Sequence, residues 1–332
     1  VIITPTFQHI VTLSLNPAVD QTVWVPEFTV GRVNLVERQQ SNAGGKGINV
    51  ASFLADFGQK VIVTGLLGTA NSEPFDELFR RKQIEDRFVR LPGRNRVNIK
   101  IVDKAQDKVT DINFPGLSTS HYDLLRLNET ISDLCRNTHQ QDDQHNAWNT
   151  DWFILSGSVP SSVPNRIYAD LIRQLKEHGK KVVLDTSGVP FSEAISAGPN
   201  IVKPNIHELS ELVGRPLNDQ TDIKAAARSL VAAGVELVVV SMGADGALFM
   251  EGDTTVVAVP PRINAKSTVG AGDAMVAGIV TGTVCGLDLA ARARLASAFS
   301  LSALGQVGPD LPNRESVQSC GARVQISALR NR

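Results

Sequence analysis

Five short apolar runs recur along the chain: VIVTGLL at 61–67, WFILSG at 152–157, KVVLD at 181–185, NIVKPN at 200–205 and LVVVSMG at 237–243. Helix-patterned stretches such as 166–178 and 222–233 lie between them. Strand-sized runs alternating with helices specify βαβ units, and so a doubly wound, mainly parallel sheet with helices on both faces. A run that is apolar without interruption, as at 237–240, suits a strand covered on both sides. Residues 10–15 read as the first such strand. Two segments, about 21–40 and 94–116, break the rhythm and read as alternating strands, including RVNIKIVD at 96–103 and KVTDINFPG at 108–116. Trp24, Phe28, Val30, Val33 and Leu35 give the first of these an apolar side that needs cover, either from the main sheet or from a second copy of the chain.

A length of 332 residues is enough to bury one continuous sheet, and we expect a single α/β domain over 1–332. A formal net charge of -1 with no basic face or aromatic ladder argues against nucleic acid, so any anionic ligand must be held by local groups. Cys135, Cys285 and Cys320 have no metal-ligand or redox spacing, which fits free thiols in a reducing compartment. The N-terminus lacks the basic opening and cleavage site of a signal peptide, and no segment offers the ~20 uncharged apolar residues of a membrane span. A cytoplasmic location is expected. The polar stretch 136–150 reads as a surface loop, and its His139 and His145 lack the acidic partners of a metal site.

Residues 266–278 read KSTVGAGDAMVAG, a glycine-paired turn that delivers Asp273 onto the first turn of a small-residue helix. With Gly270 and Gly272 lacking Cβ atoms, the amides of Ala271, Gly272 and Asp273 can converge where the helix N-terminus adds positive potential. A carboxylate there can act as a base, or it can simply cap the helix.

Five further segments accompany this one in order. They are LNPAVD at 15–20, SNAGGKGINVA at 41–51, LSGSVP at 155–160, VKPNIHEL at 202–209 and VVSMGADGAL at 239–248. With them the chain resembles the ribokinase-like sugar kinases of the PfkB family over about residues 10–308, and within that family the phosphosugar branch that includes 1-phosphofructokinase. The resemblance implies a ribokinase-like fold, with 21–40 and 94–116 forming a small β lid that in many members pairs across a dimer. It also implies ATP and Mg2+ as cofactors. On the acceptor side it points to Asp20, Gly44, Gly45, Lys46, Asn49, Arg96 and Ser158, with Lys100 and Arg32 as further phosphate-side candidates. By the two-residue strand period, Arg96, Asn98 and Lys100 share a face. On the donor side it points to Lys203, Asn205 and Glu208, the glutamate serving magnesium through water. It further implies that Ser241, Gly243, Gly246 and Thr268 lie along the nucleotide, with a plain hairpin as the lesser reading of the turn at 241–246. Asp273 is the expected base, and Gly270, Ala271 and Gly272 the anion hole.

The expected reaction converts fructose 1-phosphate to fructose 1,6-bisphosphate. Tagatose 6-phosphate kinase and the minor class of 6-phosphofructokinase use overlapping residues. A non-catalytic phosphosugar-binding module is the remote alternative, and the absence of GxGxxG after the first strand argues against a nicotinamide enzyme.

Overall fold

The computed structural model describes residues 8–136, 149–263, 270–306 and 308–329. In chain order these form β1 Gln8–Ser14, β2 Ala18–Trp24, β3 Arg38–Gly44, α1 Lys46–Asp56, β4 Lys60–Gly68, α2 Glu73–Lys82, β5 Glu85–Leu91, β6 Arg96–Asp103, β7 Lys108–Ile112 and α3 His121–Arg136. Then follow β8 Asn149–Ser156, α4 Ile167–Glu177, β9 Lys181–Asp185, α5 Gly188–Ile195, β10 Ile201–Val202, α6 Ile206–Val213, α7 Gln220–Ala232 and β11 Leu237–Ser241. The chain finishes with β12 Ala247–Glu251, β13 Thr254–Val259, α8 Ala271–Val284, α9 Leu289–Ala303, α10 Arg314–Ala322 and β14 Gln325–Ala328.

A ten-stranded sheet has the order β14-β13-β12-β11-β10-β9-β8-β1-β4-β5. From β11 to β5 every neighbouring pair is parallel, whereas β12, β13 and β14 add antiparallel strands at one edge. The two-residue strand period divides each apolar run between two cores. Ile10, Val63, Ile154, Val183 and Val239 belong to the core that also takes residues of α1, α2, α8 and α9. Their neighbours Val11, Ile62, Phe153, Val182 and Val238 belong to the opposite core, under α3 to α7. The doubly wound, mainly parallel sheet expected from the sequence is the one observed.

Strand order reverses at β1, whose neighbours are β4 on one side and β8 on the other. Chains of this kind hold ligands in the crevice outside the carboxyl ends of the strands at such a switch point. The ends of β1, β8, β9 and β10 here lead into Asn16, Gly157, Thr186 and Lys203.

The second sheet has the order β3-β2-β6-β7, with β2 parallel to β6 and antiparallel to β3. It starts earlier than the sequence pattern suggests, at Ala18, and it reaches Gly44, so Asp20 and Gly44 both lie within it. Residues 25–37 are not strand as expected. Pro26 has no amide to donate to a ladder, Glu27 has a positive φ of 54°, and the Asp103 carboxylate accepts the amides of Glu27, Phe28, Ala105 and Gln106, tying two loops together. Val23, Val25 and Ile101 form a small core with Phe28 and Ile99, and Trp24 stacks under Arg38. Val30, Val33 and Leu35 stay 80% or more exposed. The apolar side is therefore shared, Phe28 packing inward and the tip residues left uncovered. Thr268, His139 and His145 lie outside the described residues.

Candidate active site

Helix α8 begins at Gly270, the N-cap, whose φ of 83° is the left-handed conformation that glycine adopts without strain. Among the described residues no side chain makes a cap hydrogen bond at this end, Asp273 included. Its carboxylate is buried, and its Oδ2 accepts a 2.8 Å hydrogen bond from the Asn49 side chain on α1. Burial and the neighbouring Asp185 carboxylate push the Asp273 pKa up to about 6, against the opposing pull of Lys46, Asn49 and Lys203. At neutral pH such a group is ionised, yet it is far more basic than an ordinary aspartate.

Asp185 ends β9. Its side chain is 1% exposed, and its Oδ1 lies 3.4 Å from both the Lys46 and the Lys203 ammonium groups. Burial works to raise this carboxyl, but Lys203 and Lys46 outweigh it and hold the pKa below its ordinary value. Lys46 is raised in turn, first by Asp185, and further by Asp273 and Glu208. Lys203 follows β10, and its Nζ lies 3.6 Å from the point where a Cβ on Gly272 would stand, against the first turn of α8. Sequence reasoning did not single out Asp185. Its signal was an aspartate closing the buried run KVVLD, at the carboxyl end of a parallel strand.

A second group gathers where the small sheet meets the main one. Asp20 on β2 and Asn98 on β6 are register partners, and the Asn98 amide donates to Asp20 Oδ1 at 2.9 Å. Burial raises the Asp20 pKa, against the opposing effects of Asn98, Arg96 and Lys100. Gly44 faces Asp20 from β3, and a Cβ there would meet Asp20 Oδ2 at 2.0 Å, so only glycine leaves the carboxylate its place. The Arg96 Nε donates to the Asn16 carbonyl at 3.3 Å, and the Asn16 amide donates to Ser158 Oγ at 3.0 Å. Asn16 thus links the end of β1, the small sheet and the residues after β8, a role its place in LNPAVD did not reveal. Gly45, with φ 111°, joins β3 to α1 and so connects this group to Lys46 and Asn49.

The donor-side candidates occupy adjoining turns. Asn205 and Glu208 form a reciprocal cap on α6, each side chain accepting the other's amide at 2.8–2.9 Å. Ser241 bridges to Asn205, and its amide donates to the Pro204 carbonyl at 3.0 Å. Gly243 and Gly246, both at positive φ, bound the turn from β11 to β12. Two acceptor candidates stand apart from these groups. Arg32 is exposed in the 25–37 connection, and Lys100 is paired with Asp111 at 3.3 Å while adding positive potential at Asp20.

Residues 13–315 match the model of the pfkB family of carbohydrate kinases. The chain belongs to this family. It is 47% identical over 321 residues to a 1-phosphofructokinase of Rhodobacter capsulatus, spanning 97% of this chain and 98% of the relative. It is 35% identical to a 1-phosphofructokinase of Escherichia coli, spanning 96% and 98%. Among solved structures, phosphofructokinase-2 of Escherichia coli in complex with substrates and products matches with a TM-score of 0.84 at 27% identity, over 95% of this chain and 98% of that one. A possible 1-phosphofructokinase of Thermotoga maritima matches with a TM-score of 0.83 at 26% identity, over 97% and 100%. As a member of the pfkB family the protein has a ribokinase-like fold, and it is a phosphotransferase acting on a sugar hydroxyl.

Proposed function

We propose that this pfkB family kinase transfers the γ-phosphoryl group of ATP to the 6-hydroxyl of fructose 1-phosphate, giving fructose 1,6-bisphosphate and ADP. The observation that carries the chemistry is Asp273, a buried and unusually basic carboxylate held by Asn49 beside the open amides that start α8. The choice of sugar rests on relatives named 1-phosphofructokinase that align over nearly the whole chain.

The acceptor binds between the small sheet and the ends of β1 and β8. Asp20 accepts hydrogen bonds from sugar hydroxyls, Gly44 and Gly45 bring backbone close to the ring, and Arg96 holds the phosphate already present. Lys100 lends positive potential to that phosphate, whereas Arg32, exposed at the far end of the small sheet, stands apart from it. Asp273 takes the proton from the 6-hydroxyl. The oxygen then attacks the γ-phosphorus, the bond to the bridging oxygen of ADP breaks, and charge on the transferring group is met by the amides of Ala271, Gly272 and Asp273 and by Lys203. The nucleotide lies along Asn205, Ser241, Gly243 and Gly246. Closure of the small sheet over the sugar keeps water from the phosphoryl group.

Among the described residues no three His, Cys, Asp or Glu side chains cluster as a metal cage. A single carboxylate, that of Glu208, fits Mg2+, which keeps most of its waters and relies on substrate phosphates with one or two carboxylates. Glu208, oriented by its cap, would hold the ion through water, and the bound ion would neutralise phosphate charge. The exposed Val30, Val33 and Leu35 support a homodimer formed through the small sheet. The thiols of Cys135, Cys285 and Cys320 fit the cytoplasmic setting included in this reading.

A 6-phosphate acceptor is the second reading, favoured by the match to phosphofructokinase-2 of Escherichia coli in complex with fructose-6-phosphate, at a TM-score of 0.83. Initial rates of ADP formation against fructose 1-phosphate, fructose 6-phosphate, tagatose 6-phosphate and fructose decide between them. A kcat/KM at least about tenfold higher for fructose 1-phosphate, ~1.4 kcal/mol of discrimination, is expected. Preference for a 6-phosphate would reassign the substrate.

A further inference from the structure

Asp185 is fully buried, and its Oδ1 serves two lysines from opposite sides of the crevice. Lys46 comes from the start of α1, next to the glycines that face the sugar, and Lys203 comes from the end of β10 against the first turn of α8. Asp185 Oδ2 is buried without a hydrogen-bond partner among the described residues. A carboxylate with one oxygen shared and the other unmatched is poorly arranged for stability alone, because an unsatisfied buried acceptor costs about 1–3 kcal/mol. Ion pairs at this depth seldom stabilise a fold beyond what apolar packing would.

We infer that Asp185 is a positioning residue of the transfer reaction, holding Lys46 and Lys203 through one carboxylate oxygen so that both ammonium groups face the phosphoryl group at the N-terminus of α8. This rests on the kinase reading above, with Asp273 as the base. Lysine side chains carry a point charge on a flexible stem, and without an anchor neither would stay where charge develops. Asp185 acts on the base as well. Asp273 is faced by Asn49 and Lys46 from α1, by Asp185 from β9 and by Lys203 from β10, while Glu208 on α6 acts on Lys46. Of these, Asp185 alone pushes Asp273 toward a more basic state.

The test is the pH dependence of kcat with MgATP and fructose 1-phosphate for the wild type, Asp185→Asn and Lys46→Gln. Titration of the substrates is common to all three, so only displacements between them are read. Asp185→Asn is expected to lower kcat on the order of 10²-fold with both KM values within about threefold, and to move the acid limb down on the order of one unit. Lys46→Gln is expected to move the same limb up, because Lys46 favours the ionised base. A merely structural Asp185 would displace neither limb. Retention of kcat within about threefold in Asp185→Asn, or an acid limb that stays in place in either variant, would overturn the inference.

Should Asp185→Asn fail to fold, the double variant Asp185→Asn with Lys46→Met removes one charge of each sign. Its kcat is expected at least about tenfold below that of Lys46→Met alone, since Lys203 still loses its anchor. Equal rates would overturn the proposal. A wild type that turns over no sugar phosphate, or that has no acid limb, would instead remove the kinase and base reading beneath it.

Discussion

At Asp273 a single side chain sets stability against chemistry. Its folded pKa of about 6 lies above the 3.8 of an unperturbed aspartate, so the folded state holds this proton more tightly than the unfolded chain does. Ionising it in place opposes folding by about 3 kcal/mol, a penalty absent below the unfolded pKa and complete above the folded one. Asp273→Asn is therefore expected to unfold at a higher temperature than the wild type at pH 8, with the difference disappearing as pH falls to about 4. Its turnover should drop roughly 10²- to 10⁴-fold. Equal melting temperatures at both pH values would show that the carboxylate is not strained by burial. Gly44 is sensitive for a different reason. A methyl group there meets Asp20 Oδ2 at 2.0 Å, and that contact is the end of a side chain that can move. Gly44→Ala should fold normally while raising KM for the phosphosugar at least about tenfold and leaving KM for ATP alone. Matching increases in both would place the fault elsewhere.

Among the elements, α1, α2 and the segment entering α10 meet at one lysine. Lys82, the last residue of α2, has a side chain only 7% exposed; it donates to Asp56 Oδ2 at 2.7 Å, lies 2.6 Å from Asp310 Oδ1, and reaches the Pro309 carbonyl at 3.3 Å. Asp56 Oδ2 also accepts the Leu311 amide, so the end of α1 holds the same segment independently. Replacing Lys82 by Met leaves a half-buried Asp56 with one partner fewer. The expected loss is roughly 1.5–3 kcal/mol, the range for a hydrogen bond to a charged group. Urea unfolding with an unchanged slope would measure it. A loss under about 0.5 kcal/mol would mean that Asp56 is satisfied by water. The α6 cap is smaller in scale. Asn205→Ala should cost about 1 kcal/mol of stability and free Glu208, so a rise in the magnesium requirement should accompany it.

For the whole molecule, the small sheet matters because its exposed apolar tip lies away from its anchored base. Val30, Val33 and Leu35 are 80% or more exposed, and Val109, Ile112 and Phe114 add partly exposed apolar surface from the neighbouring segment. If this surface joins two copies, Val33→Asp should convert a dimer to a monomer in sedimentation velocity without changing the melting of the main sheet. A wild type that sediments as a monomer at micromolar concentration would refute the dimer.

Much of this molecule was legible in its residue order. The period of the apolar runs determined the parallel sheet, because neighbouring residues on a strand face opposite cores whatever the rest of the chain does. Likewise the glycines before Asp273 determined a helix start with open amides, since the conformation of Gly270 is local. What lay beyond reach was set by distance in space. The pairing of Lys46 and Lys203 on Asp185 joins residues up to 157 positions apart, and no periodicity reports it. Asp20 became a member of the small sheet only through register with Asn98 on β6 and Asn42 on β3, and Gly44 through register with Ala18 on β2. The sequence by itself determined which chemical groups this protein has and the layers that carry them. The tertiary structure alone decided which charges share a site, because burial and ion pairing, which raise Asp273 and lower Asp185, depend on neighbours that only folding supplies.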